Sequence, residues 1–358
     1  MRIGRDAVFV IVVLGLSLGL LLLPSQFKKQ SPSRTIQARA RVLSVDNTQI
    51  QQFGLVRQGE QYAEVEITSG RFDGRTLPAE NLLMGRMDID KVFAPGDLAL
   101  VGIDLTADRG KIVSVNLIDH YRIHWELILF GLFCVLLISF AGWTGVKALV
   151  SFVFTAMVIW KILLPLVLNG WNPVFVALAI VSILTAAIVF LVGGLEKKGL
   201  IAFLGAVAGI GMTCLLSLAF GAAFRIHGAV RPFAETLLYS GFAHLDLSRI
   251  FLAGVFISAS GAVMDIAMDI SASMREVKVK YPHITRGDLI LSGFNVGRAV
   301  VGTMTTTLLF AYSGGYTTMF MVFLAQGTPL VTMFNFVYGA AENLQTLVGN
   351  FGPVIAAT

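Results

Sequence analysis

The chain has 358 residues, 56% hydrophobic and 14% charged, with a mean hydropathy of +0.77 and a formal charge of +5. A soluble domain carries roughly a quarter charged residues, so these figures exclude an ordinary soluble globule, a disordered chain, a collagen-like fibre and a disulfide scaffold. No basic run with interleaved aromatics accompanies the positive charge, which argues against nucleic acid as a partner.

The charge is unevenly spread. Residues 24–122 hold 13 Lys/Arg and 12 Asp/Glu, whereas the much longer stretch 123–358 holds 12 and 9. The first composition belongs in water and the second in lipid. Three regions follow: an anchor helix over 1–27, a β domain over 28–122 and a transmembrane helical domain over 123–358.

The anchor is Ala7–Leu23, preceded by Arg2 and Arg5. Pro24-Ser25-Gln26-Phe27 lacks a small-x-small cleavage pattern, so the segment reads as an uncleaved signal anchor with a cytoplasmic N-terminus. Next come four strand-length segments, Gln37–Ser44, Tyr62–Thr68, Leu98–Leu105 and Ile112–Leu117. Turn signals separate them at Asp46-Asn47, Gly70 to Asp73-Gly74, Pro95-Gly96-Asp97 and Asp108-Arg109-Gly110. This spacing predicts a small all-β barrel of OB or SH3 type between spans 1 and 2.

Apolar runs then recur at about Trp125–Trp143, Val146–Leu168, Pro173–Gly193, Gly199–Phe224, Ile250–Met274, Leu289–Tyr312 and Tyr316–Tyr338. With the anchor they predict a polytopic α-helical bundle of about eight to nine spans. Leu344–Ala357 is too short to cross a core of roughly 30 Å at 1.5 Å per residue. It reads as a half-span, or as a span that continues past Thr358. Threaded from an N-in start, the loops carrying Lys147, Lys197, Lys198, Arg275, Lys278, Lys280 and Arg286 fall in the cytoplasm. The short opposite loops carry no basic residue, and the Arg225–Arg249 loop, with three arginines, is the exception. This pattern places the β domain outside the cytoplasm.

Ionisable groups at membrane depth are costly and mark function by default. Ser258, Asp265, Asp269 and Glu276 fall within about 20° of one helical face. Two like charges one turn apart in a low dielectric resist being ionised together, so the pair can carry a proton or hold a cation. The next span contains Asn295 and Arg298. Matching depths and the small-xxx-small step Gly293/Gly297 predict a buried Asp265–Arg298 pair, with Asp269 in the same cluster. Gln326-Gly327-Thr328-Pro329 interrupts a span near its middle, a pattern that marks transporter sites. The candidate solute- or ion-binding set is therefore Asp265, Asp269, Arg298, Asn295, Ser258 and Gln326. Lys161 is placed to snorkel to an interface. The five histidines make no metal set, no Walker A sequence is present, and Cys134 and Cys214 read as buried hydrophobes. No cofactor and no enzymatic activity is expected.

Two stretches carry a family resemblance. One is Ser260-Gly261-Ala262-Val263-Met264-Asp265-Ile266-Ala267-Met268-Asp269-Ile270-Ser271 with Ser273-Met274-Arg275-Glu276. The other is Gly297-Arg298 followed by Gly302-Thr303-Met304-Thr305, Thr307-Leu308 and Ala311-Tyr312-Ser313-Gly314. Together with Thr68-Ser69-Gly70, Phe72-Asp73-Gly74 and Pro95-Gly96-Asp97, they resemble the YibE/F-like family of bacterial membrane proteins. The resemblance implies a multi-span permease-like protein with an extracytoplasmic β domain, and no particular substrate. The family pattern carries an acidic residue after the arginine and an asparagine in the threonine step; Ala299 and Thr306 stand there in this chain. The expected function is a secondary transporter of a small polar solute or ion in the lipid bilayer. The alternative is a non-transporting envelope scaffold whose β domain recruits a partner, with the charges structural. A homo-oligomer fits either.

Overall fold

The computed structural model describes residues 3–24, 35–106 and 110–358. The boundary at residue 27 and the turn at Asp108-Arg109 lie outside the described residues. The chain divides into two compact units, one spanning Phe27–Leu136 and the other joining Met1–Gln26 to Leu137–Thr358.

The first unit contains six strands: β1 (Thr35–Asp46), β2 (Ile50–Phe53), β3 (Val56–Ile67), β4 (Thr76–Met84), β5 (Leu98–Leu105) and β6 (Ile112–His120). The order β1-β5-β6-β4-β3 closes on itself because β1 also pairs with β3. Every pair is antiparallel except β4 with β6. Five strands in that ring, with one parallel closure, form an OB-type barrel. A register shift between Val42 and Ser44 lets the long β1 bend and serve both neighbours. Ala40, Val42, Val65, Ile67, Ala99, Val101 and Ile103 fill the barrel.

Two strands escape the sequence reading. β2 is only four residues long and is almost wholly exposed. In β4 the inward positions Ala79, Asn81 and Leu83 do alternate, but the polar Asn81 hides the pattern. Asn81 is buried because its amide donates to Gln61 Oε1 (3.1 Å) and to the Lys91 carbonyl (2.6 Å). Gln61, fully buried, accepts from the Phe93 amide (3.0 Å) and donates to the Phe93 carbonyl (2.9 Å). Two buried side-chain amides thus replace regular pairing for the segment 85–97 and seat Phe93 in the core.

The second unit is helical. It holds α1 (Ile3–Leu22), the latter part of α2 (Ile123–Val158), α3 (Leu164–Leu168), α4 (Pro173–Gly193), α5 (Lys197–Ala223), the short α6 (Ala234–Tyr239), α7 (Leu247–Lys280), α8 (Arg286–Ser313), α9 (Thr317–Ala325), α10 (Leu330–Asn335) and α11 (Val337–Ala356). Among the described residues, five stretches are long and apolar enough to cross a membrane: Ile123–Leu168, Pro173–Gly193, Lys197–Ala223, Leu247–Lys280 and Arg286–Ala325. The sequence reading separates two of these into two spans each. The structure breaks both near those divisions, at Gly142 (φ 54°, ψ −127°) in one and at a tight 3-10 turn, Gly314–Tyr316, in the other. Gly142 can hold that backbone because it has no Cβ.

A π turn at Ile159–Leu163 links α2 to α3. Val150, Phe154, Val158 and Leu163 form one buried seam across it, and the Lys161 ammonium donates to the Leu23 carbonyl at the end of α1 (2.7 Å). Lys161 therefore ties two elements together as well as carrying charge.

The centre of the unit is a crossing of α5, α7 and α11. A Cβ on Gly209 would lie 2.7 Å from both the Gly352 carbonyl oxygen and a Val263 methyl. The three helices can approach this closely only because these glycines stand there. α11 begins at Val337 and has 20 residues, so the helix starts seven residues before the apolar stretch Leu344–Ala357. Its hydropathy is diluted by Glu342, Gln345 and Thr346, which face inward, while Leu347, Phe351 and Val354 face out.

Candidate functional site

α7 buries Val263, Ile266, Ala267 and Ile270 against its neighbours. On its opposite face Ser258, Gly261, Asp265, Asp269, Ala272 and Glu276 make an open stripe at helical spacing. None of the exposed large hydrophobic residues lies on α7 between Leu247 and Lys278. The stripe offers acyl chains nothing apolar beyond a glycine and an alanine, and it presents three carboxylates.

α8 runs antiparallel to α7. A Cβ on Gly293 would lie 2.8 Å from Met274 Sδ, and one on Gly297 would lie 3.3 Å from Ile270 Cδ1. The glycine step thus brings the helices close, as the sequence predicts. The register is one turn different: each step forward on α8 is a step back on α7, so Arg298 is level with Asp269, and Asp265 is level with Gly302. The expected buried Asp265–Arg298 pair is not formed. Ser258, Asp265, Asp269, Asn295, Arg298 and Gln326 are all exposed on the bundle. Among the described residues no ion pair or hydrogen bond joins either aspartate to Arg298. Gly297 occupies the contact position, so its successor Arg298 is turned about 100° away from it. Gln326 stands where the helix breaks, with Gly327 at φ +62° between α9 and α10.

Ser258 is the one member of the set that reaches the interior. Its Oγ accepts from Gln345 Nε2 (3.2 Å), and Gln345 Oε1 in turn accepts from the Arg231 guanidinium. Arg231 also donates to the Tyr316 hydroxyl (2.8 Å) and stacks over Phe251, 5.1 Å from its ring centre. One turn back from Thr346 on α11, Glu342 is only 4% exposed. Its Oε1 takes a long bond from Thr346 Oγ1 (3.4 Å), and its Oε2 has no hydrogen-bond partner. The enclosed Asn350 Oδ1 is likewise without a partner. Buried polar atoms without partners are rare and costly, so this cluster is a second candidate site.

Glu342, Gln345, Arg231 and Tyr316 were missed from sequence for identifiable reasons. Glu342 falls just before the apolar stretch taken as a half-span. Arg231 belongs to the loop that departs from the charge pattern, and the structure turns its side chain onto Gln345 and Tyr316. The usable signal was a carboxylate and an amide three residues apart, Glu342 and Gln345, in a segment otherwise rich in small residues. Among the described residues no group of His, Cys, Asp and Glu could hold a metal ion.

No curated protein and no solved structure matches the chain. A family model described as YibE/F-like protein matches residues 129–358, which contain α7, α8, α11 and every residue of both clusters. The chain therefore belongs to the YibE/F-like family.

Proposed function

We propose that this protein is a secondary transporter of the bacterial inner membrane that moves a small polar solute or ion coupled to protons. Its helices cross the membrane about eight to nine times, with the N-terminus in the cytoplasm and the β barrel on the other side. The observation that carries the reading is the α7 stripe. A helix apolar enough to span lipid keeps one whole face free of large apolar side chains and lines it with Ser258, Asp265, Asp269 and Glu276. Such a face belongs against water or a polar solute. From Ser258 to Glu276 it extends about 27 Å at 1.5 Å per residue. At the Ser258 end it meets the Gln345–Arg231–Glu342 cluster, where solute binds. Asp265 and Asp269 pass the proton, Asn295 and Arg298 stand on the neighbouring helix, and the break at Gln326 lets the far wall move.

The test is proton uptake in proteoliposomes that enclose a pH-sensitive dye, under an imposed potassium–valinomycin potential, with a panel of amino acids, sugars and inorganic ions supplied outside. The intact protein should acidify the lumen, and Asp265→Asn, folded to the same thermal midpoint, should abolish that uptake. Absence of acidification by the intact protein would end the reading.

A further inference from the structure

A second polar region lies at the end of the bundle where α4 gives way to α5. A cavity of about 990 Å³ opens there, walled by α2, the α4–α5 turn, α7 and α8. Five cationic side chains line it: Lys147, Lys197, Lys198, Arg275 and Lys278. A single carboxylate, Glu196, shares the wall and is ion-paired with Arg275. Lys147 is buried, at 7% exposure. α5 starts at this wall with Glu196 in the N-cap position and no side-chain capping bond, so the positive end of a 27-residue helix adds to the field. The wall is held in shape by Ser271 Oγ, which donates to the Lys198 carbonyl (2.6 Å), and by Lys278, which donates to the Pro282 carbonyl (2.7 Å). The remaining lining is apolar, with Val192, Leu195, Ile201, Met274 and Leu289.

We propose that this cavity binds a phosphate-bearing anion. Five cations against one carboxylate call for a multiply charged or phosphate-sized partner, and the apolar part of the lining suits a group attached to it. Phosphate of this chemistry comes either from the headgroup of an anionic phospholipid in the adjacent leaflet or from a free phosphate in solution. Basic pockets between spanning helices at the cytoplasmic side recognise headgroups by this means. The site shares no residue with the α7 stripe and does not depend on transport.

The full chain in detergent micelles is titrated with dioleoyl phosphatidylglycerol, with dioleoyl phosphatidylcholine and, separately, with inorganic phosphate. Bound ligand is counted by native mass spectrometry. Phosphatidylglycerol should bind at least about tenfold more tightly than phosphatidylcholine. The double change Lys197→Gln with Lys198→Gln should weaken it about thirtyfold, since each cation near an anionic headgroup contributes roughly a fivefold factor. The Lys197→Arg, Lys198→Arg pair should retain binding, which separates lost charge from lost fold. Raising salt from about 50 to about 500 mM should weaken phosphatidylglycerol and leave phosphatidylcholine unchanged. Inorganic phosphate binding with the same dependence on the two lysines assigns the site to a free anion. Phosphatidylglycerol binding without it assigns the site to a lipid. Equal affinity for the two lipids with no phosphate bound, or binding that ignores both lysine changes, overturns the proposal.

Discussion

Glu342 and Arg231 answer to different energetics although they share one cluster. The Glu342 carboxylate is enclosed with one oxygen unpartnered, so its charge is a cost to the fold. Arg231 holds Gln345, Tyr316 and the face of Phe251 together, so its loss leaves acceptors stranded. Glu342→Gln should therefore keep or raise the thermal midpoint while disabling transport. Arg231→Ala should lower stability by about 2–4 kcal/mol, given about 1–3 kcal/mol for each buried partner left unsatisfied. Thermal unfolding of the purified protein in detergent distinguishes the two; a larger loss for Glu342→Gln than for Arg231→Ala would contradict the assignment. At this scale the sequence was only partly legible. The α7 carboxylates announced themselves by helical spacing, because a face is a local property. Whether Arg298 met Asp265 depended on which residue occupied the contact, and Gly297 decided that through a tertiary register no single helix encodes.

At the scale of elements, closure governs the barrel. The ring leaves few free backbone edges, and the segment between β4 and β5 is stitched down by side-chain amides instead. Gln61 is the central stitch: the Phe93 amide and carbonyl, the Asn81 amide and Asn47 Oδ1 all bond to it. Gln61→Met keeps the volume and removes the bonds. A fragment covering residues 35–120 should unfold in a single cooperative urea transition, and Gln61→Met should cost it about 2–4 kcal/mol. A fragment without a cooperative transition would show that the barrel needs the rest of the chain. The strands read correctly from sequence were those with apolar inward positions. β4 was lost because its inward Asn81 looks polar until its partners are known. The helices of the second unit were legible as apolar runs, and the breaks at Gly142 and at Gly314–Tyr316 fall near the divisions between those runs.

For the whole molecule, the distribution of charge bears on which way it faces in the membrane. The basic residues Lys147, Lys197, Lys198, Arg275, Lys278 and Arg286 gather at one end of the helical unit, where the α4–α5 turn meets the end of α7 and the start of α8. By the positive-inside rule, the expected location of that end is the cytoplasm. In a background with Cys134 and Cys214 replaced, Asp73→Cys on the exposed β3–β4 connection should react with an impermeant maleimide from outside intact cells, and His283→Cys only after the cells are opened. The reverse pattern would invert the topology and move the basic cavity to the outer leaflet. Composition made the membrane class legible at once, since 21 charges spread over 236 residues leave long stretches that only lipid can surround.

The π turn between α2 and α3 changes how this helix tolerates lost residues. Its buried seam advances by four residues from Val150 to Phe154 and to Val158, then by five to Leu163. Five residues of α-helix would swing Leu163 about 140° out of phase with the seam; the wider turn absorbs the surplus residue. Excising the exposed Trp160 would restore a spacing of four and leave the packed side chains in phase. The same excision one turn earlier, between Phe154 and Val158, would throw everything before it out of frame.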